Sequence, residues 1–104
     1  MSNWQEISVQ QTKEKIEAGE AEILDIRDPD SYEATHIPGA IHLGDKNARE
    51  VIGSLDKEKP LIVYCYHGIS SQGAAAYFAQ QGFKEVYSLA GGFESWYCAY
   101  PAEP

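Results

Sequence analysis

Positive charge is scarce in this sequence. Eight lysine and arginine residues stand against sixteen aspartate and glutamate residues, so the 104-residue chain has a formal net charge of −8 at pH 7. Nucleic acids and anionic membranes bind basic surfaces, and this composition argues against both as partners. A small anionic ligand would have to be held by local dipoles, against an unfavourable overall field.

Cysteine and long apolar segments are scarce too. The chain has two cysteines, Cys65 and Cys98, fewer than a small disulfide-built secreted domain normally carries. Residues 1–20 are polar, without the apolar stretch of a signal peptide. No segment approaches the roughly 20 apolar residues that a membrane span needs. We therefore expect a cytoplasmic protein with reduced thiols and no membrane partner.

What is present is the composition of one small globular domain. Hydrophobic residues make up 43% of the chain, which is enough for a core without metal or disulfide staples. No internal repeat or low-complexity linker divides the sequence. We expect a single domain over residues 1–104.

Short apolar runs alternate with helical patterns along the whole chain. The predicted strands are 22–26, 40–43, 61–64 and 85–89, and the predicted helices are 8–18, a short turn from Pro29, 47–55, 71–81 and 93–97. This alternation predicts an α/β fold, with a central parallel sheet and helices on both faces. Ser70 or Ser71 is the expected cap of the fourth helix. Ligands of such sheets bind beyond the carboxyl ends of the strands.

Cys65 stands at such a position, directly after the most apolar strand. A short loop that curls around its sulfur can turn backbone N–H groups inward, and together with the helix start they would form an anion-binding nest. Such a nest favours the thiolate and lowers the cysteine pKa. Gly68 suits the tight loop, and Ser70 and Ser71 add hydroxyl donors.

Spacing alone leaves a second interpretation open. An inert buried cysteine is common at a strand end. His67 could supply a proton, although a solvated loop histidine explains it better, because sulfur chemistry needs no general base once the thiolate exists. Tyr66 could cap a pocket or face solvent.

The choice between an activated and an inert Cys65 is resolved by a resemblance to a known family, which rests on three separated motifs. They are residues 24–29, continued by 31–32 and 36–42; the loop 65–71, followed by Gly73; and residues 89–94, followed by Trp96. In order and spacing the chain resembles the rhodanese family, in particular its short bacterial thiosulfate sulfurtransferases of the GlpE type. The resemblance covers nearly the full length.

The resemblance implies sulfur transfer in two displacement steps. The Cys65 thiolate would take the outer sulfur of thiosulfate and release sulfite, leaving a persulfide in the substrate-binding loop formed by Tyr66, His67, Gly68, Ile69, Ser70 and Ser71. A thiophilic acceptor would then remove the sulfur, either cyanide in an assay or a cellular dithiol protein of the thioredoxin type. No cofactor or metal is implied.

The chain departs from the family pattern at several positions. Many relatives carry lysine or arginine in the loop, but residues 65–83 contain neither, and Gln72 stands where close relatives can carry lysine. Thr35 replaces a usual glycine. We therefore expect modest affinity for thiosulfate. Phosphatases and arsenate reductases built on the same domain place an arginine six positions after the cysteine, where this chain has Ser71, which argues against that chemistry.

Other candidate residues have structural alternatives. Asp25 and Arg27 could support anion binding, but a strand-end pair of this kind more often ties a loop to its strand. His36 and His42 lack a third ligand at metal-site spacing, so we expect no metal site. Nothing in the sequence activates Cys98. A non-enzymatic rhodanese-like binding or sulfur-carrier module remains the alternative function.

Overall fold

Five parallel strands form the centre of the fold. The computed structural model describes residues 3–44 and 47–100. The strands are β1 (Trp4–Ile7), β2 (Glu22–Asp25), β3 (Ile41–His42), β4 (Leu61–Tyr64) and β5 (Val86–Leu89). They lie in the order β1-β5-β4-β2-β3, and every pair is parallel. β4 is therefore the middle strand, with β2 and β5 beside it.

Among the described residues, four helices connect successive strands and a fifth follows β5, each close to its predicted position. They are α1 (Val9–Glu17), α2 (Pro29–Ala34), α3 (Ala48–Ser54), α4 (Ser70–Gln80) and α5 (Gly92–Ala99). Ser8 and Gln11 form a reciprocal capping box at the start of α1. Asp28 caps α2, whose first residue is Pro29, as predicted.

The core consists of two layers, one on each face of the sheet. Ile62 and Tyr64 of β4 point into one layer, and Leu61 and Val63 point into the other. The first layer packs against α1, α2 and α5 through Ile16, Tyr32, Phe93 and Trp96; the second packs against α3 and α4 through Val51, Ile52, Ala75 and Phe78. The predicted α/β fold with helices on both faces is confirmed.

Two local predictions are wrong. β1 is not predicted, because it is an edge strand whose central pair, Gln5 and Glu6, faces solvent, so it lacks an apolar run. The expected serine cap of α4 is absent: Ile69 occupies the N-cap and makes no side-chain cap. The Ser71 amide donates instead to the sulfur of Cys65, which takes the place of a capping oxygen.

The predicted domain limits, residues 1–104, extend beyond the described residues at both ends, and positions 45–46 are also outside them. Within the described ranges, no helix is long and apolar enough to cross a bilayer.

Candidate active site

Cys65 lies at the centre of the sheet's carboxyl edge. It follows β4, the middle strand, and only 6% of the residue is exposed. A four-residue loop, 66–69, carries the chain from Cys65 to the first turn of α4. The sulfur therefore sits where the end of the strand and the start of the helix meet.

Backbone amides of this loop surround the sulfur. The Ser71 amide donates to Sγ over 3.3 Å, and the amides of Gly68 and His67 also bond to it. Burial is the largest influence on the thiol and by itself would raise its pKa. The Ser71 hydroxyl and the three amides outweigh burial, so the pKa of Cys65 lies below its ordinary value.

Two buried hydroxyls continue from the sulfur into the second core layer. The Cys65 thiol donates to Ser71 Oγ at 3.5 Å, and Ser71 Oγ lies 2.7 Å from Ser88 Oγ on β5. Both serines are fully buried.

The outer side of the loop is bound by the start of α5. The Phe93 amide donates to the Cys65 carbonyl at 2.8 Å, and the Glu94 amide donates to the Tyr66 carbonyl at 3.0 Å. These two hydrogen bonds hold the carbonyls pointing away from the sulfur, so the amides of the loop can point towards it.

Two glycines make this close approach possible. Gly68 has φ of +84°, and a Cβ there would lie 2.8 Å from the Gly91 nitrogen. Gly92 has φ of +62°, and a Cβ there would lie 2.6 Å from the Cys65 carbonyl oxygen. A side chain at either position would therefore be strained by the backbone and would also push the loop away from α5.

The remaining loop side chains form the rim of the site. The Tyr66 hydroxyl bonds to Asp28 and Ser31 at the start of α2, and these hydroxyls lower the pKa of Asp28 to about 2. His67 Nδ1 lies 3.5 Å from a carboxylate oxygen of Glu94, and both side chains are exposed.

A shallow cavity opens over the sulfur. It has a volume of about 270 Å³ and is lined by Cys65, Tyr66, His67, Ile69 and Ser70. Ile69 is 74% exposed and Tyr66 is 43% exposed, so the mouth presents apolar surface to solvent. Among the described residues, no lysine or arginine lines this cavity.

Asp25 and Arg27 form a buried ion pair at the end of the neighbouring strand, β2. Arg27 Nη2 lies 2.7 Å from Asp25 Oδ2 and also donates to the Thr35 carbonyl at 2.6 Å. The Tyr64 hydroxyl donates to the same carboxylate at 2.7 Å. Burial opposes the charge of Arg27, but the hydrogen bond and negative charge of Asp25 raise its pKa. The guanidinium stacks 4.0 Å from the Phe93 ring centroid.

The histidines named in the sequence serve local contacts. His36 Nδ1 donates to the Tyr32 carbonyl, and the two rings stack at 4.0 Å. His42 Nε2 donates to the Arg27 carbonyl at 2.7 Å. Among the described residues, no group of three or more histidine, cysteine, aspartate or glutamate side chains is arranged to hold a metal. Cys98 is exposed on α5, apart from these contacts.

Comparison with known families matches residues 8–99 to the rhodanese-like domain. The chain belongs to the rhodanese family. A relative in Pseudomonas paraeruginosa, named thiosulfate sulfurtransferase GlpE, is 50% identical over 100 residues, covering 96% of this chain and 90% of the relative.

Solved structures carry the same fold. A rhodanese-related protein from Thermoplasma volcanium superposes with a TM-score of 0.80 at 27% identity, covering 94% of this chain and 96% of that one. A protein from Bacillus halodurans superposes with a TM-score of 0.78 at 36% identity, covering 89% and 71%. The rhodanese fold expected from the three sequence motifs is thus confirmed.

Two features of the site are not predicted from the sequence. Ser88 is one, and a single hydroxyl inside an apolar strand pattern is the signal that could have singled it out. The amides of Phe93 and Glu94 are the other. No side chain marks them, because their role depends only on where the backbone of α5 begins.

Proposed function

We propose that this chain is a thiosulfate sulfurtransferase that carries sulfur on Cys65. The observation that carries the proposal is the buried sulfur, which accepts amide hydrogen bonds and has a lowered pKa. A thiolate is the form of cysteine that attacks sulfur, so this environment prepares the nucleophile. The 50% identity to a protein named thiosulfate sulfurtransferase supports the same activity.

In the first step, the Cys65 thiolate attacks the outer sulfur of thiosulfate. A bond forms between Sγ and that sulfur, and the sulfur–sulfur bond of thiosulfate breaks with its electron pair leaving on sulfite. The product is a Cys65 persulfide anion. The inward amides of His67, Gly68 and Ser71 are placed to stabilise that anion, as they do the thiolate.

In the second step, a thiophilic acceptor attacks the terminal sulfur and regenerates the Cys65 thiolate. Cyanide would leave as thiocyanate. A dithiol protein of the thioredoxin type would become a persulfide, which its second thiol resolves to a disulfide and hydrosulfide. The exposed apolar rim of Tyr66 and Ile69 supports a protein acceptor, because it offers surface for a partner to cover.

We also propose that one domain spans residues 1–104 and works in the cytoplasm. β1 and α5, near the two ends of the described chain, belong to one core: β1 is a strand of the sheet, and Ile7 of β1 lies in the same core layer as Trp96 of α5. A reducing compartment suits a reaction cycle that regenerates a free thiol.

The persulfide itself tests the proposal. Thiosulfate treatment should add one sulfur atom, about 32 Da, at Cys65, because that cysteine alone is activated. Peptide mapping by mass spectrometry locates the added sulfur. The yield at short times should rise with pH with a midpoint below 9.0, the ordinary pKa of a thiol, since the pKa of Cys65 is lowered.

The two cysteines provide matched controls. Cys98→Ser should leave both the added mass and thiocyanate production unchanged, and Cys65→Ser should abolish both. Sulfur found on Cys98 would contradict the proposal. A persulfide on Cys65 that no acceptor removes would instead favour the sulfur-carrier alternative.

A further inference from the structure

We propose that Ser88 is a positioning residue for sulfur transfer: its hydroxyl holds and polarises the Ser71 hydroxyl against the sulfur of Cys65. This inference rests on the proposed function, because it assigns Ser88 a part in preparing the nucleophile. It goes beyond the loop motif, since Ser88 lies on a different strand and does not touch the cavity over the sulfur.

The three heavy atoms form a short buried chain. Ser88 Oγ lies 2.7 Å from Ser71 Oγ, and Ser71 Oγ lies 3.5 Å from Cys65 Sγ. Both serines have no exposed surface, and Ser88 pairs across the sheet with Val63, which belongs to the second core layer. A hydrogen bond with no competing water is stronger electrostatically, so the geometry of this chain is fixed tightly.

The direction of the hydrogen bonds depends on the state of the sulfur. When Cys65 is a thiol, it donates to Ser71 Oγ, and either serine can then be the donor between Ser71 and Ser88. When Cys65 is a thiolate, Ser71 must donate to the sulfur, and its oxygen then accepts the proton of Ser88. Both hydroxyls rotate, and in the thiolate state both of their dipoles point towards the sulfur, so the serine pair favours the thiolate.

This chain is not a route for the proton. Among the described residues, the structure gives the Ser88 hydroxyl no hydrogen-bond partner besides Ser71. A proton passed along it would be trapped on a buried hydroxyl, so the thiol proton must leave by the open mouth of the site. Ser88 instead supplies a hydroxyl dipole, which reorients when the charge on the Cys65 sulfur changes.

Ser71 needs such a partner because it lies in the first turn of α4. A serine inside a helix tends to turn its hydroxyl to the carbonyl four residues earlier, which for Ser71 belongs to His67. The bond to Ser88 competes with that alternative and keeps Ser71 Oγ directed at the sulfur. Without the Ser88 hydroxyl, the thiolate would lose part of its stabilisation although every loop residue is intact.

The test compares two isosteric substitutions, Ser88→Thr and Ser88→Val, both in Cys98→Ser protein so that only one thiol reacts. Threonine and valine fill the same volume and both suit a strand, so they differ only in the hydroxyl. The rate of Cys65 alkylation by iodoacetamide is measured against pH, which reports the thiolate without any sulfur transfer. We expect the midpoint of Ser88→Val to lie about half a pH unit above that of Ser88→Thr, so that alkylation below both midpoints is about threefold slower.

Two further variants separate positioning from general damage. Thr12→Val removes another fully buried hydroxyl, bonded 2.8 Å from the Ser8 carbonyl and far along the chain from the site, and should leave the profile of the parent unchanged. In a Ser71→Ala background the two position-88 variants should have the same midpoint, because Ser88 acts through Ser71.

Two outcomes would overturn the inference. One is equal midpoints for the Ser88→Thr and Ser88→Val proteins with Ser71 present, and the other is an undiminished difference between them with Ser71 removed. If no persulfide forms on Cys65 but the Ser88→Thr and Ser88→Val proteins still differ in their midpoints, the proposed function is contradicted and the role of Ser88 is not.

Discussion

The carboxyl ends of two neighbouring strands, β2 and β4, stabilise charge in different ways. At the end of β2, Arg27 and Asp25 are both buried and held together by direct hydrogen bonds. At the end of β4, Cys65 meets backbone amides and one hydroxyl, with no side-chain cation among its hydrogen-bond partners. The charge of Arg27 is thus balanced by Asp25, and neutral dipoles stabilise the thiolate of Cys65.

The difference follows from what each position must do. A permanent ion pair can be buried because its charges cancel and its hydrogen bonds are satisfied. In the proposed reaction the Cys65 sulfur changes between thiol, thiolate and persulfide, and a fixed partner charge would strongly favour one of these states. Amide dipoles favour the anion more moderately and leave the mouth of the site free.

Breaking the ion pair should have the largest effect. Arg27→Leu leaves the buried Asp25 carboxylate without its partner, and we expect the free energy of unfolding to fall by about 3–5 kcal/mol. Lys13→Met is the matched control, because the Lys13–Glu17 pair is exposed and its loss should cost at most about 0.5 kcal/mol. Urea unfolding measures both. If the alkylation rate of Cys65 in the folded fraction also collapsed, Arg27 would serve the anion as well as the fold.

Adding a methyl group to the loop should have an intermediate effect. Gly68→Ala must adopt φ of +84° and also meet the Gly91 nitrogen, and we expect a loss of stability of about 1–3 kcal/mol with slower alkylation of Cys65. Gly39→Ala separates the two causes, because Gly39 has the same φ with nothing within 4 Å of its Cβ position. Thermal unfolding and alkylation rates report both quantities. Equal alkylation rates in the two variants would show that the approach of α5 does not shape the nest.

A cation added to the dipole site should give the smallest effect. Gln72 donates through Nε2 to the Gly68 carbonyl at 2.9 Å, and a lysine can keep this bond while adding charge. Gln72→Lys should lower the KM for thiosulfate about threefold at low salt, and less at high salt because screening weakens the attraction. Gln72→Met, which removes the bond without adding charge, is the control. The KM for thiosulfate is measured by steady-state kinetics at two ionic strengths. A KM of Gln72→Lys that did not fall at low salt would contradict this expectation.

The fold is largely readable from the sequence because its signals are local. Apolar runs and helical patterns place β2, β3, β4 and β5 and all five helices within a few residues. β1 is missed because its two central residues, Gln5 and Glu6, are polar and exposed, so the strand has no apolar run. It is recognised by its pairing with β5, which is a contact distant in sequence.

Only part of the site can be predicted from the sequence, because some of its contacts join residues that are distant along the chain. The sequence places Cys65, Gly68 and Ser71 in one loop, and the resemblance assigns that loop a role. The bond from Ser71 to Ser88 and the amides of α5 depend on the assembled tertiary structure, which no short spacing encodes. Ser71 is also misjudged as a cap, because a sulfur atom accepts the amide that a capping oxygen usually accepts.

The bonds from α5 to the Cys65 loop have a consequence for biosynthesis. The amides that fix the loop come from Phe93 and Glu94, which are added to the growing chain well after Cys65 itself. A nascent chain that has reached only β5 already contains the cysteine but not the hydrogen bonds that hold its loop in place. The loop around Cys65 is therefore fixed late, once the first turn of α5 has been made, and truncation before Phe93 would remove the hydrogen bonds that shape the nest.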